Sequence, residues 1–188
     1  MASDNDAHGP AKIVILTGAG ISAESGLGTF RDKDGLWTKY DLEEVATPQG
    51  FRANPALVQA FYNARRQNLL DAEPNAAHFA LAKLQRERPG LSVIVTQNVD
   101  DLHERAGATD VIHMHGELLR AHCDVCGEGG PQIEDLSVDT VCAACGAIGA
   151  MRPSVVWFGE IPLEMERIEA ALEAAVMFVS IGTSGAVY

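Results

Sequence analysis

The sequence predicts an α/β fold: a Rossmann-like parallel sheet with helices on both faces, plus a small lobe made of a helical insertion and a zinc-ribbon module. Three observations carry this reading. Short apolar runs rich in β-branched residues recur at 12–17, Ser92–Thr96, 110–113 and Met177–Ile181. The stretches between them read as helices. The first run ends in Gly18-Ala19-Gly20, a turn of the kind that follows the first strand of a nucleotide-binding sheet. Unbroken apolar strands alternating with helices are the pattern of a parallel sheet buried on both sides, so all four runs are expected to be buried.

Each helix has its own local warrant. Pro55–Asp71 follows Asn54, a good N-cap residue, and places proline at the first helical position. The helix over 75–88 starts from Asn75 and is stopped by Pro89-Gly90. A third, over 163–175, follows Pro162 and repeats apolar residues at helical spacing. Two stretches do not fit the sheet: a helical one over 41–75 and the cysteine-containing one over 119–153. The expected division is therefore a nucleotide-binding domain from 1–40, 91–118 and 154–188, a helical module over 41–90 and a zinc-binding module over 119–153.

The charge balance narrows the partners. Fourteen basic residues against 26 acidic ones leave a net charge of −12 among 188 residues. Nucleic acids and anionic membrane surfaces need basic patches, so neither is expected to bind, whereas a lysine-rich protein segment is favoured electrostatically. The apolar stretches 13–16 and 170–181, the latter broken by Glu173 and Ser180, are too short to span a bilayer. Residues 1–9 are polar and read as a frayed tail, with no secretory signal. A soluble, cytoplasmic protein is expected.

Three motifs carry chemistry. Gly18-Ala19-Gly20-Ile21-Ser22-Ala23 allows a tight turn and close approach of backbone N–H groups to a pyrophosphate. No second strand ending in an acidic residue follows at the dehydrogenase spacing; Asp41 and Glu43 lie near it but in a polar stretch. Cys123-x-x-Cys126 and Cys142-x-x-Cys145 form two knuckles, each with a glycine next (Gly127, Gly146). Four thiolates close a tetrahedral zinc site with no open position, so this metal is structural; two independent redox dithiols are the alternative. Thr96-Gln97-Asn98-Val99-Asp100 and His113-Met114-His115-Gly116 sit at the ends of successive strands, where parallel sheets bind ligands. His113 and His115 alternate along a strand and face opposite ways, so one of them faces the cleft, and the pattern does not say which. His78 and His103 fall within expected helices, and His122 adjoins a knuckle as a spare ligand.

Taken together these strings resemble the sirtuin signature. Gly18-Ala19-Gly20-Ile21-Ser22, Ser25-Gly26-Leu27 and Thr29-Phe30-Arg31 are similar to its GAGxSxxSGxxxFR. Thr96 to His103 is similar to its TQNxDxLH, with Val99 where isoleucine is common. His113 to Gly116, the two cysteine pairs and Gly182-Thr183-Ser184 follow in the family's order. The resemblance runs over nearly the whole chain and is closest to the class III, bacterial and desuccinylase-type branch. It implies NAD+ as a consumed co-substrate and acylated lysine segments of proteins as partners. Gly18, Ala19, Gly20 and Ser22 would approach the phosphates, and Phe30 and Arg31 would lie over the nicotinamide ribose. Gln97 would contact the ribose hydroxyls, Asn98 and Asp100 would organise the nicotinamide pocket, and Gly182, Thr183 and Ser184 would complete the cofactor set. His115 would be the general base. The string Val156-Trp157-Phe158-Gly159-Glu160 would pair as a strand with the substrate peptide, through Val156, Phe158 and Gly159, and is compatible with a hydrophobic core strand.

Tyr62 and Arg65 stand at i and i+3 of the Pro55–Asp71 helix and share a face. A guanidinium binds a carboxylate with two parallel hydrogen bonds, and a phenol donates a third. As a bare pair this is ordinary helix surface. Within the resemblance it implies selectivity for acidic acyl groups, that is, a desuccinylase and demalonylase as well as a deacetylase. Arg66 points elsewhere and is left unassigned. The family continues beyond Tyr188, so the chain reads as C-terminally truncated. An ADP-ribosyltransferase using the same pocket and a non-catalytic zinc-containing binding module are the readings from other classes.

Overall fold

The computed structural model describes residues 13–28 and 40–184. The expected tail, Phe30 and Arg31 lie outside them. In chain order the elements are β1 (Ile13–Thr17), two 3-10 turns (Ala19–Ile21 and Ala23–Ser25), α1 (Leu42–Val45), α2 (Pro48–Ala53), α3 (Pro55–Asp71), α4 (Ala76–Glu87), β2 (Ser92–Thr96), α5 (Leu102–Arg105), β3 (Val111–His113), β4 (Gly116–Cys123), β5 (Gly129–Pro131), β6 (Met151–Val155), α6 (Met165–Ala174) and β7 (Met177–Ile181).

Two sheets result. β3-β2-β1-β7 is parallel throughout, and β5-β4-β6 is antiparallel. In the first, β2 is buried at every position because strands flank it and helices cover it. Val14, Val93, Val95 and Ile112 form its core with Ile168 of α6 beneath them. β7 departs from the expectation of a buried strand: Met177 and Phe178 are more than half exposed. It pairs on one side only, with β1, so its other edge and much of its faces have no cover among the described residues.

Helix caps follow the sequence. The Asn54 side chain accepts from the Leu57 N–H at 3.1 Å and the Asn75 side chain from the Ala77 N–H at 2.9 Å. α3 packs against the antiparallel sheet. Its Phe61, Tyr62 and Leu69 pack with Leu118 of β4, Val155 of β6 and Trp157 into a second core. Asn63 imitates a strand partner for the cysteine segment: its amide donates to the Leu136 carbonyl at 2.8 Å, and its side-chain oxygen accepts from the Leu136 N–H at 3.0 Å. Gln59 donates to the Met151 carbonyl at 2.7 Å. Arg66 is fully buried there and donates to Asn63 at 2.8 Å, with the Asp135 and Glu134 charges nearby. No helix among the described residues is long and apolar enough to cross a membrane.

Candidate active site

The carboxyl ends of β1 and β2, the turn after β3 and the segment after β7 open onto one cavity of about 890 Å³. That is within the range of small-molecule and cofactor sites. Ala19, Gly20, Ser22, Gln97, Asn98, Asp100 and His115 line it, as do Gly182, Thr183 and Ser184. Tyr62, Arg65, Val156 and Phe158 line the same cavity from the second core. Gly18 sits behind this wall and Gly159 lies outside the lining.

The glycines of the first loop have a packing role of their own. A Cβ on Gly18 would lie 2.6 Å from the Thr183 Cβ, and one on Gly20 would lie 2.8 Å from the Gly182 Cα. They are glycine so that the loops after β1 and β7 can touch. The Gly20 N–H donates to the Gly182 carbonyl at 2.8 Å, Gly18 to Ile181 at 3.1 Å, and Ile21 and Ser22 donate within their own turn. These N–H groups bond within the protein and fix the shape of the loop, whose Ala19, Gly20 and Ser22 line the cavity.

Ser22 is likewise turned inward. Its hydroxyl donates to Asp100 Oδ2 at 2.9 Å and accepts from the Asn98 amide at 3.1 Å. The third partner is His78, whose Nε2 lies 3.4 Å away. The tautomer of His78 follows from its other nitrogen: Nδ1 accepts from the Asn75 N–H at 3.2 Å, so the proton is on Nε2 and points at Ser22. Burial lowers the His78 pKa and keeps the ring neutral. Asn98 spends both amide hydrogens, on Ser22 and on the Gly18 carbonyl at 3.3 Å, which leaves its side-chain oxygen as the acceptor. Burial raises the Asp100 pKa, while the Ser22 and Leu102 donors pull it back. His103 is fully buried, bonded to Thr17 Oγ1 at 3.0 Å and stacked edge-on against His78 at 5.0 Å. The sequence reading set both histidines aside as helix residues. The one available signal was Asn75-x-x-His78, a spacing at which the two residues can cap each other.

His103 makes the fold acid-sensitive. Burial pulls its pKa from 6.5 to about 4, so the unfolded chain binds the proton first and stability falls as pH drops between those values. The loss amounts to about 3 kcal/mol by pH 4. Thermal melts of wild type and His103→Gln from pH 7 to pH 4 check this: the variant should lose less over that window, and parallel losses would show that His103 is not the cause.

His113 and His115 separate cleanly. β3 ends at His113, so His115 lies in the turn to β4, not on the strand as expected. Gly116 holds that turn with a φ of 78°, where any Cβ would strike the Ser154 carbonyl. His115 Nδ1 lies 2.9 Å from the Gln97 carbonyl oxygen, which can only accept. The proton is therefore on Nδ1, and Nε2 presents a lone pair on the cavity side. Burial lowers the His115 pKa, partly offset by that bond. His113 instead uses both nitrogens, Nε2 to Glu104 at 2.8 Å and Nδ1 to the Asn98 carbonyl at 3.4 Å. Burial opposes its charge, but Glu104 outweighs it and the pKa is raised. Gln97 braces the other side as well, its Oε1 accepting from Thr183 Oγ1 at 2.6 Å.

Tyr62 and Arg65 are not on open helix surface. Tyr62 is buried, and its hydroxyl accepts from the Trp157 indole at 2.9 Å. The Arg65 guanidinium lies 5.4 Å from the Tyr62 ring centroid. Val156 to Gly159 form neither a core strand nor an extension of β6, which ends at Val155. The Val156 N–H donates to the His115 carbonyl and that of Phe158 to Ala46, each at 2.9 Å.

The four cysteine sulfurs lie within 4.8 Å of one another. The Cys123–Cys145 and Cys126–Cys142 separations are 3.8 and 3.7 Å. A tetrahedron with metal–sulfur bonds of about 2.3 Å has edges of about 3.8 Å, so the set fits one zinc. The Gly127 and Gly146 N–H groups donate to the Cys123 and Cys142 carbonyls at 2.8 Å, closing two equivalent knuckles. His122 is no spare ligand: its ring bonds Ser154 at 3.0 Å and faces Asp124.

A parallel sheet opening at its strand ends on a cofactor-sized cavity, with a closed four-thiolate centre on turns beside the antiparallel sheet, defines a nucleotide-binding α/β protein with a structural zinc. Residues 18–188 match the Sir2 family model, and the chain belongs to that family. It is 65% identical over 184 residues to an NAD-dependent protein deacylase of Caulobacter vibrioides, covering 96% of this chain and 77% of the relative. Among solved structures it is similar to a serine-to-alanine variant of a Sir2 homologue in complex with ADP-ribose, at 42% identity and a TM-score of 0.86, over 95% of this chain and 72% of that one. A Sir2 homologue–NAD complex matches at 43% identity and a TM-score of 0.85, over 95% and 70%.

Proposed function

We propose that the chain is an NAD-dependent protein-lysine deacylase that takes acidic acyl groups in addition to acetyl. The observation that carries this is the His115 tautomer: an unprotonated Nε2 on the wall of the cavity that the nucleotide loops and the Tyr62–Arg65 pair share. NAD+ supplies an activated ribose and is consumed together with one water, giving nicotinamide, free lysine and an O-acyl-ADP-ribose. The chain's own residues position and deprotonate. Gln97 and Thr183 brace the sugar side. Asn98, held by Ser22 and Gly18, offers its side-chain oxygen to the nicotinamide side, and Asp100 anchors Ser22. His115 Nε2 takes the proton of a ribose hydroxyl, its imidazole kept neutral by burial. Holding the acyl oxygen against the ribose supplies much of the rate.

Tyr62 and Arg65 supply the acyl preference by binding a carboxylate at the acyl terminus. The net charge of −12 favours encounter with lysine-bearing segments. Four free cysteines retained as metal ligands fit a reducing, cytoplasmic compartment. The reading is tested by mixing the protein with NAD and with acetyl-, succinyl-, malonyl- or unmodified-lysine peptides, and following nicotinamide and acyl-ADP-ribose by mass. Nicotinamide release that ignores the acyl group would point to ADP-ribosyl transfer and end this reading. Arg65→Met and Tyr62→Phe should each cut kcat/KM for the succinyl peptide by roughly 10²-fold, the low end for breaking a charge pair. The acetyl peptide should change far less.

A further inference from the structure

We propose that Trp157 sets acyl selectivity by positioning the Tyr62 hydroxyl; this rests on the acidic-acyl reading above. A phenol oxygen carries one proton, and an indole N–H can only donate. With Trp157 Nε1 2.9 Å from Tyr62 Oη, the oxygen must be the acceptor in that bond. The Tyr62 proton is thereby excluded from the Trp157 side. Of the charged groups around it, the Arg65 and Arg152 guanidiniums have only donors, and the Glu160 carboxylate is taken up by Arg152 and the Trp157 N–H. The proton is left for an acceptor arriving from the cavity, and an acyl carboxylate is such an acceptor. A terminal methyl is not.

Trp157 is held firmly enough to act this way. It is buried, with Phe51 5.3 Å from its ring and the Arg152 guanidinium carbon 3.3 Å from its centroid. Arg152 is itself fixed by Glu160 at 2.9 and 3.0 Å and by the Val155 carbonyl at 3.0 Å. Glu160 also accepts from the Trp157 backbone N–H at 2.7 Å. Without the indole donor, the Tyr62 proton can rotate half a turn into the vacated direction and point away from the ligand.

Trp157→Phe removes the donor and keeps an aromatic ring under Arg152. Its kcat/KM for a succinyl-lysine peptide should fall about 3- to 10-fold, mainly through KM, with a change of less than about twofold for the acetyl-lysine peptide. In a Tyr62→Phe background the same substitution should produce no further selective loss. Equal losses on both peptides, or an undiminished selective loss without the Tyr62 hydroxyl, would overturn the assignment. Arg65→Met, measured alongside, separates the two levels. If it is selective and Trp157→Phe is not, only the Trp157 assignment falls; if it is unselective, the carboxylate reading falls and takes this one with it. Should Trp157→Phe fail to fold, a ¹⁵N-indole spectrum of the Trp37→Phe protein reports on Trp157 directly. That signal should shift with the succinyl peptide and not with the acetyl peptide, and identical responses would sink the proposal.

Discussion

Replacing His115 with alanine is expected to slow acyl-peptide-dependent nicotinamide release by about 10²–10⁴-fold while leaving the fold intact. The half-buried ring makes one bond, to the Gln97 carbonyl, so little packing is lost. In the proposed role His115 works as neutral imidazole, and burial lowers its pKa below the usual 6.5. The sign is therefore fixed: kcat/KM stays level as pH falls through 6.5 and bends only at lower pH, and that bend disappears in His115→Ala. His113→Ala is the control. Its ring is bonded at both nitrogens and is held toward the charged form by Glu104, so its loss should cost stability and about tenfold or less in rate. Rates of both variants from pH 5 to pH 8, each with a thermal melt, decide the matter. A larger rate loss in His113→Ala would reverse the assignment.

The parallel sheet was legible because a strand covered on both faces must be apolar at every position, and Ser92–Thr96 is buried throughout. The same rule misjudged Met177–Ile181, since an apolar run does not reveal whether the strand has neighbours on both sides. The antiparallel sheet was hidden for two local reasons. A register shift between Glu117 and Ala121 interrupts the alternation that marks a half-buried strand. Pro153 then argues against any strand in that stretch, yet β6 is an edge strand, where proline is tolerated.

The site was legible at the level of residue types and less so at the level of roles. Gly18 and Gly20 read as phosphate contacts; that their missing side chains also let two loops meet is a constraint between residues more than 160 positions apart that no local pattern carries. Ser22 read as a ligand contact; it lines the cavity and also braces Asp100, which no local pattern shows. The choice of His115 over His113, which alternation left even, turns on one carbonyl: Gln97 fixes which nitrogen bears the proton.

Metal analysis should find one zinc per chain, and removing it by chelation or by Cys142→Ala should open the antiparallel sheet and lower turnover by about 10²-fold or more. Structural zinc contributes about 10–16 kcal/mol in small domains, comparable to the whole stability of a typical protein, about 5–15 kcal/mol. The route to the active site is traceable. Cys123 ends β4 and pairs with Met151, the first residue of β6. β6 runs from there to Val155, and the next two residues both line the cavity. Of these, Val156 donates to the His115 carbonyl, and Trp157 holds the Tyr62 hydroxyl. Fraying from the metal end is therefore expected to reach His115 and the Tyr62–Arg65 pair together. Hydrogen exchange should show protection lost in β4, β5 and β6 while β1, β2 and β3 keep theirs, because Val14, Val93, Val95 and Ile112 form a separate core. A Cys142→Ala protein that retains zinc, or a metal-free protein that melts and turns over like the metal-bound one, would show that the four thiolates hold nothing the fold depends on.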